Sequence, residues 1–178
     1  MNMEQEPTTP TTTTGQRLLL LVIAGCVVLA DQLSKLVVEI LLPLYHSWMP
    51  FPGLLPVFRF SHVGNTGSAF GLFPHNSATF AWAAVIVSLA ILIYNYHLSG
   101  RQLGLRLALG LQLGGAIGNL TDRLRLGHVT DFIDFGPWIF NMADVAIILG
   151  ALILIGVMWQ ESNKHVPAPL EGMGKEVS

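Results

Sequence analysis

Four long apolar runs alternate with shorter polar connections along the chain. They cover residues 17–42, 77–96, 103–120 and 143–159. Each run is close to the roughly 20 residues that a helix needs to cross a hydrocarbon layer of about 30 Å. The runs lack the alternation of membrane β-strands, and a helix satisfies its own backbone polar groups in lipid. The pattern therefore predicts an all-α membrane protein built as a bundle of four transmembrane helices.

Composition supports this class and limits the domain count. Hydrophobic residues make up 52% of the chain and charged residues 11%, whereas soluble domains carry about 25% charged residues. A length of 178 residues and a net charge of -2 indicate one domain and give no reason to expect nucleic acid as a partner. The polar ends predict tails at 1–15, which we expect to be disordered, and at 161–178, on either side of a membrane domain at 16–160.

Four crossings would place both termini on the same side of the membrane. The basic residues of the terminal side are Arg17, Arg101, Arg106, Lys164 and Lys175, and those of the opposite side are Arg59, Arg123 and Arg125. Cytoplasmic segments carry an excess of lysine and arginine, so this distribution predicts cytoplasmic termini.

The first apolar run has an alternative reading as a cleaved leader, because Ile23–Cys26 is similar to a lipobox. Cleavage would require the apolar run to end there, yet it resumes after Asp31. The segment before it carries Glu4 and Glu6 and has no basic cluster, which is atypical of a signal peptide. We therefore interpret the run as a retained helix and Cys26 as a small apolar residue within it.

The connection at residues 43–76 is too long for a tight turn. Within it, Val57–Val63 has aromatic or histidine side chains at alternate positions, which is typical of a strand. The turn-forming residues Asn65–Gly67 follow. We expect a small extracytoplasmic β-sheet between the first and second helices. Its edge could bind an extended peptide, although a simple lid over the bundle explains the pattern equally well.

Glycines recur at four-residue spacing in the third run, at Gly110, Gly114 and Gly118. Such a ridge of small residues allows another helix to approach closely. It predicts close packing of the third helix and carries no information about chemistry.

Ionisable side chains near a membrane are costly and need an explanation. Asp31 and Lys35 are four residues apart on the first helix and can pair there. The densest polar cluster lies between the third and fourth runs and comprises Asn119, Asp122, Arg123, Arg125, His128, Asp131, Asp134, Asn141 and Asp144. Asp144 falls in the first turn of the fourth helix, where the helix dipole favours a carboxylate. The connection that carries Asp131 is short, so the two carboxyl groups can face each other.

Two carboxyl groups that share a site hold one proton between them. Such a pair can take a proton from water and donate one to a carbonyl oxygen, which is general acid–base hydrolysis of an amide without a covalent intermediate. The alternative is structural, with the acids capping helices or pairing with Arg123 and Arg125; it is most credible for Asp122 and Asp134.

Other catalytic chemistries have weaker support in the sequence. Cys26 lies in mid-helix with no histidine nearby, and Ser68 lies outside any GxSxG pattern. The histidines form no HExxH motif, so we expect neither a metal nor a cofactor.

Four sequence blocks carry a resemblance to a known family. They are DQLSK (31–35), NTGSAFG (65–71), GGAIGNLTDRLRLGHVTDFI (114–133) and FNMAD (140–144). In order and spacing they resemble bacterial lipoprotein signal peptidase, also called signal peptidase II. The resemblance implies an aspartic endopeptidase of the bacterial inner membrane, with its active site near the extracytoplasmic surface. Its substrates would be prolipoproteins, cleaved before a cysteine that already carries diacylglycerol, and the cyclic peptide globomycin would inhibit it.

The resemblance also implies roles for particular residues. Asp131 and Asp144 would form the catalytic dyad. The residues that hold substrate or orient the dyad would be Asn65, Gly67, Asn119, Arg123 and Asn141, and the supporting polar residues would be Asp31, Lys35 and Asp122. We expect a monomer surrounded by membrane lipid.

Two rival functions use the same acidic cluster. A small transporter or proton conduit could employ buried acids, although these acids gather at one surface and do not line a route across the bilayer. A structural membrane subunit could use the cluster for interfacial ion pairs. Cleavage of a lipidated precursor would distinguish the peptidase from both.

Overall fold

The computed structural model describes residues 14–50, 53, 57–67, 77–98 and 102–164. Most of the two predicted tails, at 1–13 and 165–178, lies outside the described residues. Each of the four apolar runs forms a helix, with bounds α1 Thr14–Leu41, α2 Ser77–His97, α3 Leu103–Leu126 and α4 Met142–Lys164. The third helix therefore continues past residue 120 and carries the first part of the polar cluster on its last turns.

Among the described residues, α1, α2 and α4 are the helices long and apolar enough to cross a membrane. Helix α3 carries buried Arg106, Asn119 and Asp122 and does not reach that apolarity. It contacts each of the other helices, so protein surrounds much of it and supplies partners for its polar side chains. The helical bundle confirms the predicted class, whereas a fourth membrane span stays a prediction.

Glycines on α3 allow its neighbours to approach closely, as their spacing predicts. A Cβ atom added to Gly114 would lie 2.6 Å from Cβ of Val27 on α1, and one added to Gly118 would lie 2.6 Å from Oδ2 of Asp31. Contacts this short would force the helices apart. The small residues therefore allow α1 to pack closely against α3, whose last turns carry the polar side chains.

The described strands form one antiparallel sheet in the order β1-β2-β3-β4. Their bounds are β1 Ser47–Trp48, β2 Arg59–Asn65, β3 Val129–Asp134 and β4 Ile139–Phe140. The strand predicted at residues 57–63 overlaps β2. The prediction, however, assigns the whole sheet to the connection between α1 and α2. That assignment is wrong for β3 and β4, which belong to the connection between α3 and α4. Long-range pairing with β2 makes β3 a strand, and local pattern does not reveal such pairing.

Candidate active site

A cavity of about 490 Å³ lies between the sheet and the helices α3 and α4. Its polar wall contains both aspartates of the predicted dyad and four of the other predicted site residues. The polar lining comprises Asn65, Gly67, Asn119, Arg123, Asp131 and Asp144. Residues that are far apart in sequence thus meet in one chamber.

Asp131 is held on β3 by two asparagine side chains. The residue is 2% exposed. Oδ2 accepts a hydrogen bond of 2.8 Å from Nδ2 of Asn65, and Oδ1 accepts one of 2.6 Å from Nδ2 of Asn141. On β2, Asn65 lies opposite Val129 in the strand register, and Val129 shares a face of β3 with Asp131 because strand side chains alternate. The β2–β3 register therefore brings Asn65 to Asp131.

Asp144 is placed by the start of α4. The backbone N–H of Asp144 donates to Oδ1 of Asn141 over 3.0 Å, and the backbone N–H of Asn141 donates back to Oδ2 of Asp144 over 3.3 Å. This reciprocal pair is a capping box, which satisfies N–H groups that a helix start leaves open. Oδ1 of Asp144 accepts a further hydrogen bond of 2.8 Å from Asn119. Asn141 therefore caps the helix of one aspartate while it binds the other.

The amide groups of the three asparagines can adopt only one orientation. The Oδ1 atoms of Asn65, Asn119 and Asn141 accept from the N–H of Gly67, the ammonium of Lys35 and the N–H of Asp144, respectively. These three groups donate and cannot accept. Each amide oxygen must therefore face its donor, which directs the NH₂ group to a carboxyl of the dyad.

Burial raises the pKa of Asp131 to about 7, and the negative charge of Asp144 acts in the same direction. The hydrogen bonds from Asn65 and Asn141 and the charge of Lys35 lower the pKa by a smaller amount. Two close carboxyl groups titrate as a unit. Near neutral pH the pair can therefore hold one proton, which supplies an acid and a base in the same site.

Arg123 lines this cavity and makes only long hydrogen bonds to the described residues. Its Nη1 and Nη2 atoms lie 3.4 Å and 3.5 Å from the carbonyl oxygens of Asn119 and Gly67, which are long hydrogen bonds. Its Nε atom is buried and has no partner among the described residues, and the guanidinium lies over the ring of Phe80 at 5.6 Å. The described contacts therefore hold the guanidinium only weakly at the cavity wall.

The predicted supporting residues form a fully buried ionic cluster behind the dyad. Nζ of Lys35 lies 2.8 Å from Oδ2 of Asp31 and 2.9 Å from Oδ2 of Asp122. Oδ1 of Asp31 accepts from the N–H of Ala143 in the first turn of α4, and Lys35 also donates to Asn119 over 3.1 Å. The cluster thus ties α1 to the two helices that carry Asn119 and Asp144.

Sequence reasoning did not identify two residues that join this cluster. Nε2 of Gln32 donates to Oδ1 of Asp122 over 2.9 Å and to the carbonyl oxygen of Gly118 over 3.2 Å. The backbone N–H of Thr130 donates to Oδ2 of Asp122 over 3.1 Å. This hydrogen bond ties β3 to α3 at the residue next to Asp131. Neither residue carries a charge. The partners of Gln32 are more than 80 residues away, and Asp122 and Thr130 lie in different elements, so local spacing contains no signal for them.

Several residues of the sequence cluster do not reach the cavity. Asp134 is fully buried and accepts hydrogen bonds from Arg59, Ser61 and the N–H of Gly136. Burial alone would raise the pKa of Asp134, but these hydrogen bonds outweigh it and hold the pKa below the usual value. Arg125 pairs with Glu39 over 2.8 Å at the surface. Asp134 and Arg125 therefore have structural partners away from the dyad.

Known proteins are similar in sequence to most of this chain. The sequence profile of the family described as Signal peptidase (SPase) II matches residues 23–160. The lipoprotein signal peptidase of Pelotomaculum thermopropionicum is 40% identical over 146 residues, which cover 82% of this chain and 94% of that protein. That of Moorella thermoacetica is 42% identical over 142 residues, covering 79% of this chain and 90% of that protein.

Two solved structures share the fold. One is described as a bacterial membrane enzyme determined by the in meso method at 2.3 Å. It has a TM-score of 0.77 at 23% identity, and the match covers 93% of this chain and 100% of that chain. A second, at 1.9 Å, has a TM-score of 0.71 at 24% identity and covers 88% of this chain and 99% of that chain. At these identities the structures support the fold alone. The sequence matches decide the family: the chain belongs to signal peptidase II.

Proposed function

We propose that this protein is a membrane aspartic endopeptidase that removes the signal peptide from diacylglyceryl-modified prolipoproteins, cleaving before the lipidated cysteine. The observation that carries the proposal is that Asp131 and Asp144 line one cavity and are linked by Asn141, which hydrogen-bonds to both. Membership in a peptidase family favours hydrolysis over the transporter and structural-subunit alternatives.

In the proposed reaction, one carboxylate accepts a proton from water while the protonated carboxyl donates its proton to the scissile carbonyl oxygen. The water oxygen bonds to the carbonyl carbon and gives a neutral tetrahedral diol. The C–N bond then breaks as the amide nitrogen receives a proton from the dyad and the diol returns one, so the dyad ends with the single proton it began with. The initial proton belongs to the dyad as a pair, and the raised pKa of Asp131, about 7, lets a substantial fraction of the protein carry it near neutral pH.

The surrounding residues have positioning roles in this scheme. Asn65 and Asn141 hold both oxygens of Asp131, and Asn119 holds one oxygen of Asp144. Arg123 would donate a hydrogen bond to a backbone carbonyl oxygen of the peptide beside Gly67. A dyad with one proton needs one carboxyl group to stay un-ionised. Neutral amides fix the positions of the carboxyl groups without forcing both of them to ionise.

The cavity wall fits a substrate with lipid tails. Ile147 and Ile148 follow Asp144 along α4 and line the same cavity, and Ile148 is 56% exposed on a candidate membrane span. An opening toward hydrocarbon would let the acyl chains stay in the bilayer while the scissile bond reaches the dyad. The membrane then supplies part of the positioning, as remote binding energy can.

We propose that all four helices of the domain at 16–160 cross the bacterial inner membrane, with the sheet and the dyad on the extracytoplasmic side. Arg17 and Arg106 lie together at the other end of the bundle, near Asn95. This basic end fits the cytoplasmic side under the positive-inside bias. The proposed form is a monomer in membrane lipid.

The proposal is tested by cleavage of a precursor by purified protein in detergent micelles. We expect cleavage of a precursor whose cysteine carries diacylglycerol and none of the same precursor without it. Asp131→Asn and Asp144→Asn should each lower kcat by about 10²- to 10⁴-fold, the usual contribution of a positioned acid or base.

Glu161→Gln is a matched control, because it makes the same acid-to-amide change at the opposite end of α4. It should retain wild-type turnover. Unchanged turnover in either aspartate variant, or equal cleavage of the lipidated and unlipidated precursors, would contradict the proposal.

A further inference from the structure

A second cavity, of about 610 Å³, lies between the outer half of α1 and the sheet. Leu33, Val37 and Leu41 of α1 form one wall, and Trp48, Phe60 and Phe132 of the sheet form the other. Phe132 follows Asp131 on β3 and therefore points to the opposite face of the strand. The sheet thus separates this groove, which we call the α1 groove, from the dyad cavity.

The described walls of the α1 groove offer nothing to a charged ligand. Its lining is apolar apart from Ser34, and the hydroxyl of Ser34 donates to the carbonyl oxygen of Asp31 over 2.8 Å. Trp48 and Phe60 stack with ring centroids 6.1 Å apart. A ligand here would be recognised by burial of apolar surface alone.

The groove opens on the side of α1 that the bilayer must cover. Leu33, Val37 and Leu41 are more than half exposed, and they belong to a helix apolar enough to span a membrane. In a membrane the medium at the groove mouth is hydrocarbon, so the molecule that meets it first is a bilayer lipid. The acyl chains of a substrate bound at the dyad would start from the other face of the sheet.

We propose that the α1 groove binds an acyl chain of a bilayer glycerophospholipid between α1 and the back of the sheet. The chain packs against Phe132 and so supports β3 from behind. The inference depends on the membrane placement of α1 and is independent of the peptidase reaction, so either can fail alone.

Trp48 provides a direct reporter for the occupied groove. In full-length protein with Trp82, Trp138 and Trp159 changed to Phe, the probe is a phosphatidylcholine with a dibrominated acyl chain, titrated in excess detergent. Bromine quenches a tryptophan that it touches, so we expect saturable quenching of Trp48 emission. Quenching that rises in proportion to the mole fraction of probe in the micelle would overturn the proposal, because that is the behaviour of unspecific lipid contact.

Variants that narrow the groove locate the bound chain. Val37→Phe and Leu41→Phe should each raise the probe concentration for half-quenching about tenfold, equivalent to excluding about two methylene groups. Val87→Phe places the same substitution on the exposed face of α2 and should change nothing. Unchanged half-quenching in both groove variants would overturn the assignment to this groove. Circular dichroism of each variant verifies folding, and the two variants substitute for each other if one fails to fold.

Discussion

At the scale of single residues, the dyad is held by neutral amides, and Asn119 separates the positive charge of Lys35 from Asp144. Lys35 contacts Asn119, and Asn119 contacts Asp144. A cation in direct contact with Asp131 would lower the pKa of that carboxyl strongly, whereas the amide hydrogen bonds lower it less than burial raises it, and the pKa is about 7. The asparagines therefore permit a proton to remain on the dyad at neutral pH while fixing where its oxygens point.

The raised pKa predicts the pH dependence of the reaction. Below about pH 7 the dyad keeps the proton that it must donate, and above that pH the proton is lost. We expect kcat for the lipidated precursor to fall above about pH 7, approaching about tenfold per pH unit. Initial rates between pH 5 and 9 check this, with thermal unfolding at each pH as a control for stability. A rate that keeps rising through about pH 9 would contradict a protonated dyad as the acid.

At the scale of secondary-structure elements, each partner of the dyad comes from a different helix or strand. β2 contributes Asn65, α3 contributes Asn119, β3 contributes Asp131 and α4 contributes Asp144. The start of α4 bears on both aspartates, because Asn141 caps the helix of Asp144 and donates to Asp131. Asp31 adds a hydrogen bond to the N–H of Ala143 in the same turn. The geometry of the dyad therefore depends on where α4 begins.

The two roles of Asn141 can be separated by substitution. Serine can cap a helix but lacks an amide that would reach Asp131, whereas alanine can do neither. We expect Asn141→Ala to lose about 1 kcal/mol of stability together with most activity. Asn141→Ser should keep most of the stability and still lose activity. Thermal unfolding and kcat of both variants check this, and full activity in Asn141→Ser would show that its contact with Asp131 is dispensable.

The close packing of α1 against α3 leaves no room for one additional carbon atom at Gly118. A Cβ at Gly118 would lie 2.6 Å from Oδ2 of Asp31, within the ionic cluster. We expect Gly118→Ala to destabilise the protein by about 1–3 kcal/mol. The matched control is Gly156→Ala, because a Cβ there meets nothing within 4 Å; it should be neutral or slightly stabilising. Equal stability of the two variants in denaturant titrations would contradict the close packing.

At the scale of the whole molecule, α3 forms the centre of the bundle and the sheet joins its two inter-helix connections at one end. Helix α3 contacts α1, α2 and α4, and β2 from the first connection pairs with β3 from the second. Large apolar side chains are exposed along α1, α2 and α4, which suits a surface covered by lipid. This arrangement places the dyad at the end of the bundle that carries the sheet.

The proposed orientation can be tested by chemical labelling. In a Cys26→Ala background, Val57→Cys introduces a thiol beside β2, and Ser162→Cys introduces one near the end of α4; both positions are exposed. A membrane-impermeant maleimide added to spheroplasts should label the cysteine at 57 and leave the one at 162 unlabelled until the cells are lysed. The reverse pattern would place the sheet and the dyad in the cytoplasm.

Local properties of the sequence determined the helices and one strand. A run of apolar residues is helical in a bilayer whatever its neighbours are, and the alternation in β2 is visible within seven residues. The motifs around Asp131 and Asp144 also carried the family, which the comparisons confirm. These features need no knowledge of where remote segments lie.

Only the tertiary structure decided which polar residues act together. It paired β3 with β2, brought Gln32 and Thr130 to Asp122, and separated Asp134 from the dyad although both belong to one stretch of sequence. Each of these contacts joins residues that sequence spacing does not relate, and side-chain hydrogen bonds depend on distances of a few tenths of an ångström. Proximity of that kind arises when the helices and the sheet pack, so no local pattern contains it.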